Sequence, residues 1–386
     1  MEKRISILGA TGSVGLQALS VAEERGYCLD LLTANRSASQ MEQIARKHKP
    51  MAVAMADPKA AGELRTRLAD TSIKVYSGTE GIKAGISEYA SDTVINAILG
   101  ADGLPHTLHT IESGITLALA NKESLVIAGE LVMSKAKAKG VGILPVDSEH
   151  SAIFQALKCG RKNEVKRLLL TASGGPFFGK TRAELERVTL DEALAHPTWS
   201  MGKKITIDSS TLMNKGFEII EAAHLFGITD DRIEVLIHRE SILHSAVEFV
   251  DNSVIGQMSV PDMRMCIQYA VDYPDRVCAA IDPLDLTKVG SLTFAKPDTV
   301  AFPLLDLARQ AIRDGGASGA VLNASDEVAV SAFLEGKIAF SDISRVVCEA
   351  YEQLSDSCYE TTLDGILSYD RLARRAAEDI VRSINK

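Results

Sequence analysis

No run of apolar residues in this chain reaches the roughly 20 in succession that a membrane-spanning helix needs. Nor does the N-terminus show the basic and then apolar organisation of a secretory leader; it enters a strand-like segment directly. A cytoplasmic protein with no membrane partner is the expectation. Cysteine is sparse: Cys28, Cys159, Cys266, Cys278, Cys348 and Cys358 are the only six, and none of their spacings matches a zinc motif. They suit a reducing compartment and read as core or surface thiols. Positive charge is short as well. The formal net charge is −9, and no segment interleaves aromatic with basic residues, which argues against nucleic acid as a partner. Internal repeats and low-complexity segments are absent. What remains is a chain of 386 residues with 46% hydrophobic content, enough for proper cores and for two or three domains.

The N-terminal segment Lys3 to Leu8 is mostly apolar, as a buried parallel strand would be, and runs into Gly9-Ala-Thr11-Gly12-Ser13-Val14-Gly15. A helical pattern with Leu16, Leu19 and Val21 follows at once. Strand, glycine turn and helix make a phosphate cradle, because glycines admit a close backbone approach and the free amides at the helix start meet a pyrophosphate. The spacing is GxxGxxG rather than GxGxxG, and glycines also occur at such turns for steric reasons alone. About twenty residues on, where an NAD enzyme places an acid against the ribose, this chain has Asn35-Arg36-Ser37. Arginine and serine suit a 2′-phosphate, so NADPH is the expected dinucleotide; a solvated loop arginine is the alternative.

The organisation along the chain predicts an α/β protein with a Rossmann-like NADPH-binding domain over 1–148. A central α+β catalytic domain over 149–285, a linker over 286–303 and a helical C-terminal domain over 304–386 follow. Expected strands include Met51 to Met55, Thr93 to Ile98, Gly142 to Leu144, Arg167 to Ala172, Ile205 to Ile207 and Glu234 to Ile237. Expected helices include Ser39 to Lys47, Leu125 to Lys139, Pro303 to Arg313, Ser325 to Leu334, Ser341 to Leu354 and Tyr369 to Ile384. In the last of these, Leu372, Ala376, Ile380 and Ile384 recur every fourth residue as a buried stripe.

Four segments carry candidate chemistry. In Leu144-Pro-Val-Asp147-Ser148-Glu149-His150-Ser, an extended lead-in would place Asp147 and Glu149 on one face, about 7 Å apart, a chelating geometry for a hard divalent cation. A polar strand end in water is the alternative. In Asp208-Ser209-Ser-Thr-Leu-Met-Asn214-Lys215-Gly-Phe-Glu218-Ile-Ile-Glu221, hydroxyl, amide and ammonium donors suit a phosphoester. A third carboxylate from Glu218 or Glu221 would complete an oxygen-rich site of the kind magnesium or manganese prefers; spacing does not choose between the two glutamates. Ser173-Gly-Gly-Pro176 is a tight turn where a hydroxyl and amides can converge on an anion, though Gly-Gly-Pro is also ordinary loop punctuation. Thr189 with Glu192 fits a capping box, and Pro197 ends the helix. The only tryptophan, Trp199, then falls with Met201 in a loop flanked by His196 and two lysines. A lid that excludes water from hydride transfer is one reading and a core-docked indole the other.

Two other functions are compatible with a glycine turn. A semialdehyde dehydrogenase would need a catalytic cysteine, and Cys159 sits in a polar Lys-Cys-Gly-Arg setting without an evident base. A nucleotide-sensing protein without catalysis would not need the carboxylate set.

Taken together, Gly-Ala-Thr-Gly-Ser-Val-Gly at 9–15, Leu-Ala-Asn-Lys-Glu-Ser-Leu-Val at 119–126, Val-Asp-Ser-Glu-His at 146–150, Ala-Ser-Gly-Gly-Pro-Phe at 172–177, His-Pro-Thr-Trp-Ser-Met-Gly at 196–202 and Met-Asn-Lys-Gly-Phe-Glu at 213–218 closely resemble the 1-deoxy-D-xylulose 5-phosphate reductoisomerase family, in family order and over nearly the whole chain. The resemblance implies an NADPH-dependent conversion of 1-deoxy-D-xylulose 5-phosphate, a phosphosugar, into 2-C-methyl-D-erythritol 4-phosphate on the non-mevalonate isoprenoid route. It also implies a divalent cation (Mg2+, Mn2+ or Co2+) and a homodimer. It assigns Asp147, Glu149 and Glu218 to the metal, and Ser173, Ser209, Asn214 and Lys215 to the substrate phosphate. Lys122, Ser148 and His196 become further substrate contacts, with Lys122, Glu149 and His150 at the chemistry and Trp199 and Met201 in the lid. Ser241 and His244 join the substrate site. Gly9, Thr11, Gly12, Ser13, Val14, Gly15, Asn35, Arg36, Ser37, Asn121, Glu123, Met201 and Gly202 match cofactor positions. Two departures stand out: His238-Arg-Glu-Ser241 where relatives often have His-Pro-Gln-Ser, and Asn323-Ala-Ser-Asp326-Glu where they have Asn-Ala-Ala-Asn-Glu. The first removes a φ-fixing proline beside Ser241.

Overall fold

A computed structural model describes residues 3–199, 201–354 and 361–384; Ser200 and Cys358 lie outside the described residues. The chain forms two compact units. One comprises Met1–Ser124, Val132–Ser151 and Asp262–Asp282, the other Leu125–Leu131, Ala152–Pro261 and Pro283–Lys386.

The first unit is built on a seven-stranded parallel sheet. Its strands are β1 (Arg4–Leu8), β2 (Cys28–Ala34), β3 (Ala52–Met55), β4 (Lys74–Ser77), β5 (Thr93–Asn96), β6 (Thr116–Leu119) and β7 (Ile143–Pro145), in the order β4-β3-β2-β1-β5-β6-β7. A strand covered on both faces needs no polar alternation, and every residue of β3 and of β5 is buried. Leu8, Leu31, Ala52, Ala54 and Val94 of the sheet pack with Ile82 and Ile86 of the helix Gly78–Tyr89 in one cluster. The strand order reverses between β1 and β5, which makes their carboxyl ends a topological switch point, the usual ligand crevice of such sheets. The helix Met263–Asp272 belongs to this unit too; Tyr27 donates its hydroxyl hydrogen to Asp272 Oδ2 at 2.5 Å.

The second unit holds a four-stranded sheet of β8 (Val165–Ala172), β9 (Ile233–Ile237), β10 (Leu243–Phe249) and β11 (Val254–Met258), ordered β11-β10-β8-β9. β8 and β9 run parallel, and β10 is antiparallel to both β8 and β11. Ile233, Val235 and Ile237 alternate inward along β9 and pack with Ile219 and Ala222 of the helix Met213–Phe226 and Leu305 of the helix Leu304–Asp314. Toward the C-terminus the described residues form the helices Leu304–Asp314, Ser318–Leu334, Phe340–Leu354 and Leu363–Ile384.

Two expectations are corrected here. Ile205 to Ile207 is not a strand; it lies in the helix Lys203–Ser210. A three-residue β-branched run carries no period of its own, and the Lys204–Asp208 pair at i,i+4 supports the helical alternative. In the last helix the buried face is Ile366, Asp370, Ala373, Ala377 and Ile380, while Leu372 is 42% exposed. A strict spacing of four drifts by about 40° per step around a helix of 3.6 residues per turn, whereas alternating steps of four and three stay on one face.

Candidate active site

In the first unit, β1 gives way to Gly9 at φ +87°, a backbone that side chains disfavour, and a Cβ there would overlap the Ala97 carbonyl that follows β5. Gly15 is fixed by a different constraint: its Cβ would overlap Gly9 O, so only glycine lets the helix Ser13–Arg25 approach the turn. Gly9 N–H donates to Thr33 Oγ1 at 3.0 Å and Gly12 N–H to Gly9 O at 3.0 Å. No side chain caps the helix start at Gly12, so the first-turn amides of Ser13 and Val14 are presented beside the partly exposed Thr11. At the end of β2, Arg36 is 81% exposed in its side chain and only loosely paired with Asp57 at 3.5 Å, while Ser37 begins the helix Ala38–His48 beside Asn35.

The turn after β6 carries Asn121, Lys122 and Glu123. Asn121 Nδ2 donates to Gly100 O at 3.0 Å and to Glu123 Oε2 at 2.9 Å, pinning the turn. Lys122 Nζ reaches Asp147 Oδ2 at 2.7 Å, with both side chains about nine-tenths buried. The expected extended placement of Asp147 and Glu149 does not hold. β7 stops at Pro145 and the helix Ser148–Ala156 begins at once, so Asp147 sits at the position preceding that helix and Glu149 in its first turn. Asp147 Oδ1 accepts from Glu149 N–H at 3.2 Å and from His150 Nδ1 at 2.9 Å, the work of a helix-capping aspartate. Burial opposes ionisation of Asp147, but the charges of Lys122 and His150 outweigh it and hold the carboxyl well below its ordinary value. Ser148 Oγ donates to Glu149 Oε2 at 2.5 Å.

In the second unit, β8 is followed by Ser173 and the left-handed pair Gly174 and Gly175. A Cβ on Gly175 would overlap Ser209 O, so this turn lies directly against the end of the helix Lys203–Ser210. Ser173 Oγ accepts the Gly175 N–H at 3.2 Å and meets His196 Nε2 at 2.9 Å. His196 Nδ1 accepts from the amides of Thr198 (3.2 Å) and Trp199 (2.9 Å), which assigns the proton to Nε2 and makes the ring the donor to Ser173. Burial, helped by the charge of Arg239, pushes the His196 pKa down to about 4, so the ring is neutral at physiological pH. The expected capping box is present: Thr189 Oγ1 accepts from Glu192 N–H at 3.3 Å and Glu192 Oε2 from Thr189 N–H at 2.7 Å. Trp199 and Met201 are half-buried, and the indole lies 6.4 Å from the His244 ring, between the exposed lid and the docked core residue that the sequence left open. Gly202 caps the helix Lys203–Ser210.

Between Ser209 and Asn214 the chain turns through Leu212 at φ +60° and starts the helix Met213–Phe226. Asn214 Nδ2 donates to Glu218 Oε1 at 2.5 Å and Lys215 Nζ to Glu218 Oε2, the i,i+4 and i,i+3 neighbours of one helical face. Glu218 is 1% exposed and Glu221 fully buried, so neither glutamate belongs to a solvated helix face. Ser241, at φ +51°, is buried at the start of the turn into β10, and His244 Nε2 donates to Ser259 Oγ at 2.9 Å.

One residue's role escaped the sequence reading. Arg239, at the position where relatives often have proline, donates from Nη1 to Gly175 O at 2.7 Å and to Ser173 O at 3.3 Å. Its partners are carbonyls 64 and 66 positions away, which no local pattern signals. His238 steadies the same loop, accepting from the amides of Ile242 and Leu243 at 3.1 Å each.

Family models match most of the chain. The model for 1-deoxy-D-xylulose 5-phosphate reductoisomerase covers residues 5–129, its C-terminal domain residues 143–226, and the model for the DXP reductoisomerase C-terminal domain residues 258–376. The chain is 50% identical over 382 residues to the 1-deoxy-D-xylulose 5-phosphate reductoisomerase of Acetivibrio thermocellus, covering 99% of this chain and 100% of that one. It is 50% identical over 371 residues to the reductoisomerase of Caldanaerobacter subterraneus subsp. tengcongensis, with 95% and 96% covered. Among solved structures it is similar to a DOX-P reductoisomerase in complex with NADPH, fosmidomycin and magnesium, at TM-score 0.94 and 38% identity over 100% of this chain and 99% of that one. It is also similar to the Zymomonas mobilis reductoisomerase in complex with NADPH, at TM-score 0.92 and 39% identity over 99% and 100%.

Proposed function

The chain belongs to the 1-deoxy-D-xylulose 5-phosphate reductoisomerase family, and from that premise we propose how its residues share the work. The enzyme converts 1-deoxy-D-xylulose 5-phosphate to 2-C-methyl-D-erythritol 4-phosphate in non-mevalonate isoprenoid biosynthesis, using NADPH and a divalent cation.

The glycine turn fits a dinucleotide: Gly9 and Gly15 bring uncapped amides to the switch point, where NADPH supplies the hydride when bound. Thr11, Gly12, Ser13 and Val14 would line the pyrophosphate, and Asn35, Arg36 and Ser37 the 2′-phosphate. Asn121, Glu123, Met201 and Gly202 would complete the cofactor contacts. Asp147 and Glu149, together with Glu218, would supply hard oxygen donors suited to magnesium, manganese or cobalt. The observation that carries this assignment is Asp147, a buried carboxylate kept ionised by Lys122 and His150. The bound cation would act as a Lewis acid toward the substrate ketone.

The remaining steps belong to the chain itself. Ser173 Oγ already accepts two hydrogen bonds, which leaves its own proton for a phosphate oxygen that would bind there. Ser209, Asn214 and Lys215 would complete the phosphate grip, which converts binding energy into orientation of a flexible sugar. Lys122 and Ser148 would hold the hydroxyl end, with Ser241, His244 and His196 closing the site. Trp199 and Met201 would exclude water over it. The domain roles follow the boundaries 1–148, 149–285 and 304–386 expected above. A homodimer is part of the proposal, supported by the edge strand β11, where Val254, Ile255 and Met258 are exposed. A cytoplasmic location is proposed as well; among the described residues no helix is long and apolar enough to cross a membrane.

The test is NADPH oxidation followed by absorbance with 1-deoxy-D-xylulose 5-phosphate, in magnesium and again in excess chelator. Chelator should stop turnover, and Asp147→Asn should depress turnover while NADPH affinity stays nearly intact. Wild-type turnover in that variant would remove Asp147 from the metal site.

A further inference from the structure

The helix Lys203–Ser210 carries a buried charge cluster that the reaction outlined above does not use. Lys204 Nζ donates to Asp208 Oδ2 at 2.6 Å within the helix and to Asp326 Oδ2 at 2.8 Å on the helix Ser318–Leu334. Asp208 is 3% exposed and Asp326 is fully buried. The same ammonium lies over the ring of Phe217, 4.8 Å from its centroid, and Phe217 immediately precedes Glu218. One cation therefore ties together three helices, and the one it belongs to runs directly into Ser209, against which the Ser173–Gly175 turn is seated.

Burial raises the pKa of Asp326 by more than Lys204 lowers it. The other nearby carboxylate, Glu327, is taken up by Arg374 at 2.5 Å. Asp326 accepts the Lys204 hydrogen bond through Oδ2, a role an amide oxygen can fill without repacking.

We propose that Lys204, clamped between Asp208 and Asp326, is a positioning residue that fixes the Ser209 end of its helix for the substrate phosphate. The proposal rests on the reading of Ser209 as a phosphate contact. It predicts a change in substrate affinity rather than a general loss of fold.

The experiment compares KM, kcat, NADPH affinity and thermal midpoint for Asp326→Leu, Asp326→Asn and Ser209→Ala. Asp326→Leu should raise KM about tenfold with kcat and NADPH affinity within about twofold of the parent. Asp326→Asn should restore KM to the parent value, because the amide oxygen accepts the same hydrogen bond from Lys204. Parent KM in Asp326→Leu, or equal impairment in Asp326→Asn, overturns the proposal. If Ser209→Ala raises KM while Asp326→Leu does not, positioning alone fails. If Ser209→Ala leaves KM unchanged, the phosphate reading itself fails and this inference goes with it. Should Asp326→Leu not fold, Lys204→Gln takes its place with the same expected rise in KM.

Discussion

Ser173 shows how one hydroxyl is given a direction. With His196 Nε2–H and Gly175 N–H both donating to Oγ, its remaining hydrogen has a single open side. Only while neutral can His196 also accept the Thr198 and Trp199 amides on Nδ1, which holds the ring in place, and burial together with Arg239 keeps it neutral down to about pH 4. Arg239 contributes twice, through the charge it sets beside His196 and through its grip on the carbonyls of Ser173 and Gly175. Replacing it should loosen the turn and let the His196 pKa rise toward its ordinary value. We expect Arg239→Ala to raise KM for the phosphosugar about tenfold, the scale of one lost charge-assisted hydrogen bond, with NADPH affinity unchanged. The check is KM by NADPH oxidation beside a titration of NADPH fluorescence; an unchanged KM would reduce Arg239 to a surface residue.

The strand, glycine turn and helix at the N-terminus were legible because each glycine marks a steric requirement. Gly15 is the sharper case, since any side chain there would overlap Gly9 O and drive the helix Ser13–Arg25 off β1. Gly15→Ala is therefore expected to weaken NADPH binding by about tenfold or more, read from fluorescence titration, whereas Gly26→Ala, with nothing near its Cβ but φ +68°, should cost stability alone. An equal loss of affinity in the two variants would contradict the close-approach argument. Short β-branched runs were not legible: Ile205 to Ile207 became helix because its ends are set by Gly202 and by Lys204 pairing with Asp208 and Asp326. Asp147 and Glu149 were misplaced as geometry. Pro145 ends the strand, and Asp147 begins a helix that a strand-based spacing argument did not anticipate. The contacts of Arg239 were beyond sequence reading, because backbone carbonyls carry no residue identity.

Across the whole molecule, burial lowers the pKa of His48, His106, His196 and His224, two in each compact unit. The sign follows directly. An unfolded chain binds a proton on each of these rings near pH 6.5, while folded His106 resists until about pH 4, so stability is fully present above the unfolded value and declines as pH falls between the two. Asp326 works the other way, since its raised pKa lets the folded state take up a proton first, but it is one group against four. The exposed carboxylates paired across the surface add little. His106 is 4% exposed and should alone cost roughly 2 kcal/mol at about pH 5 relative to neutral pH. Denaturant unfolding near neutral pH and at about pH 5 measures this. His106→Gln should lose roughly 2 kcal/mol less than the parent over that interval, whatever its stability at neutral pH. An equal loss in parent and variant would mean that His106 gains its proton in the fold as readily as in the unfolded chain, and that acid weakens the molecule through other groups.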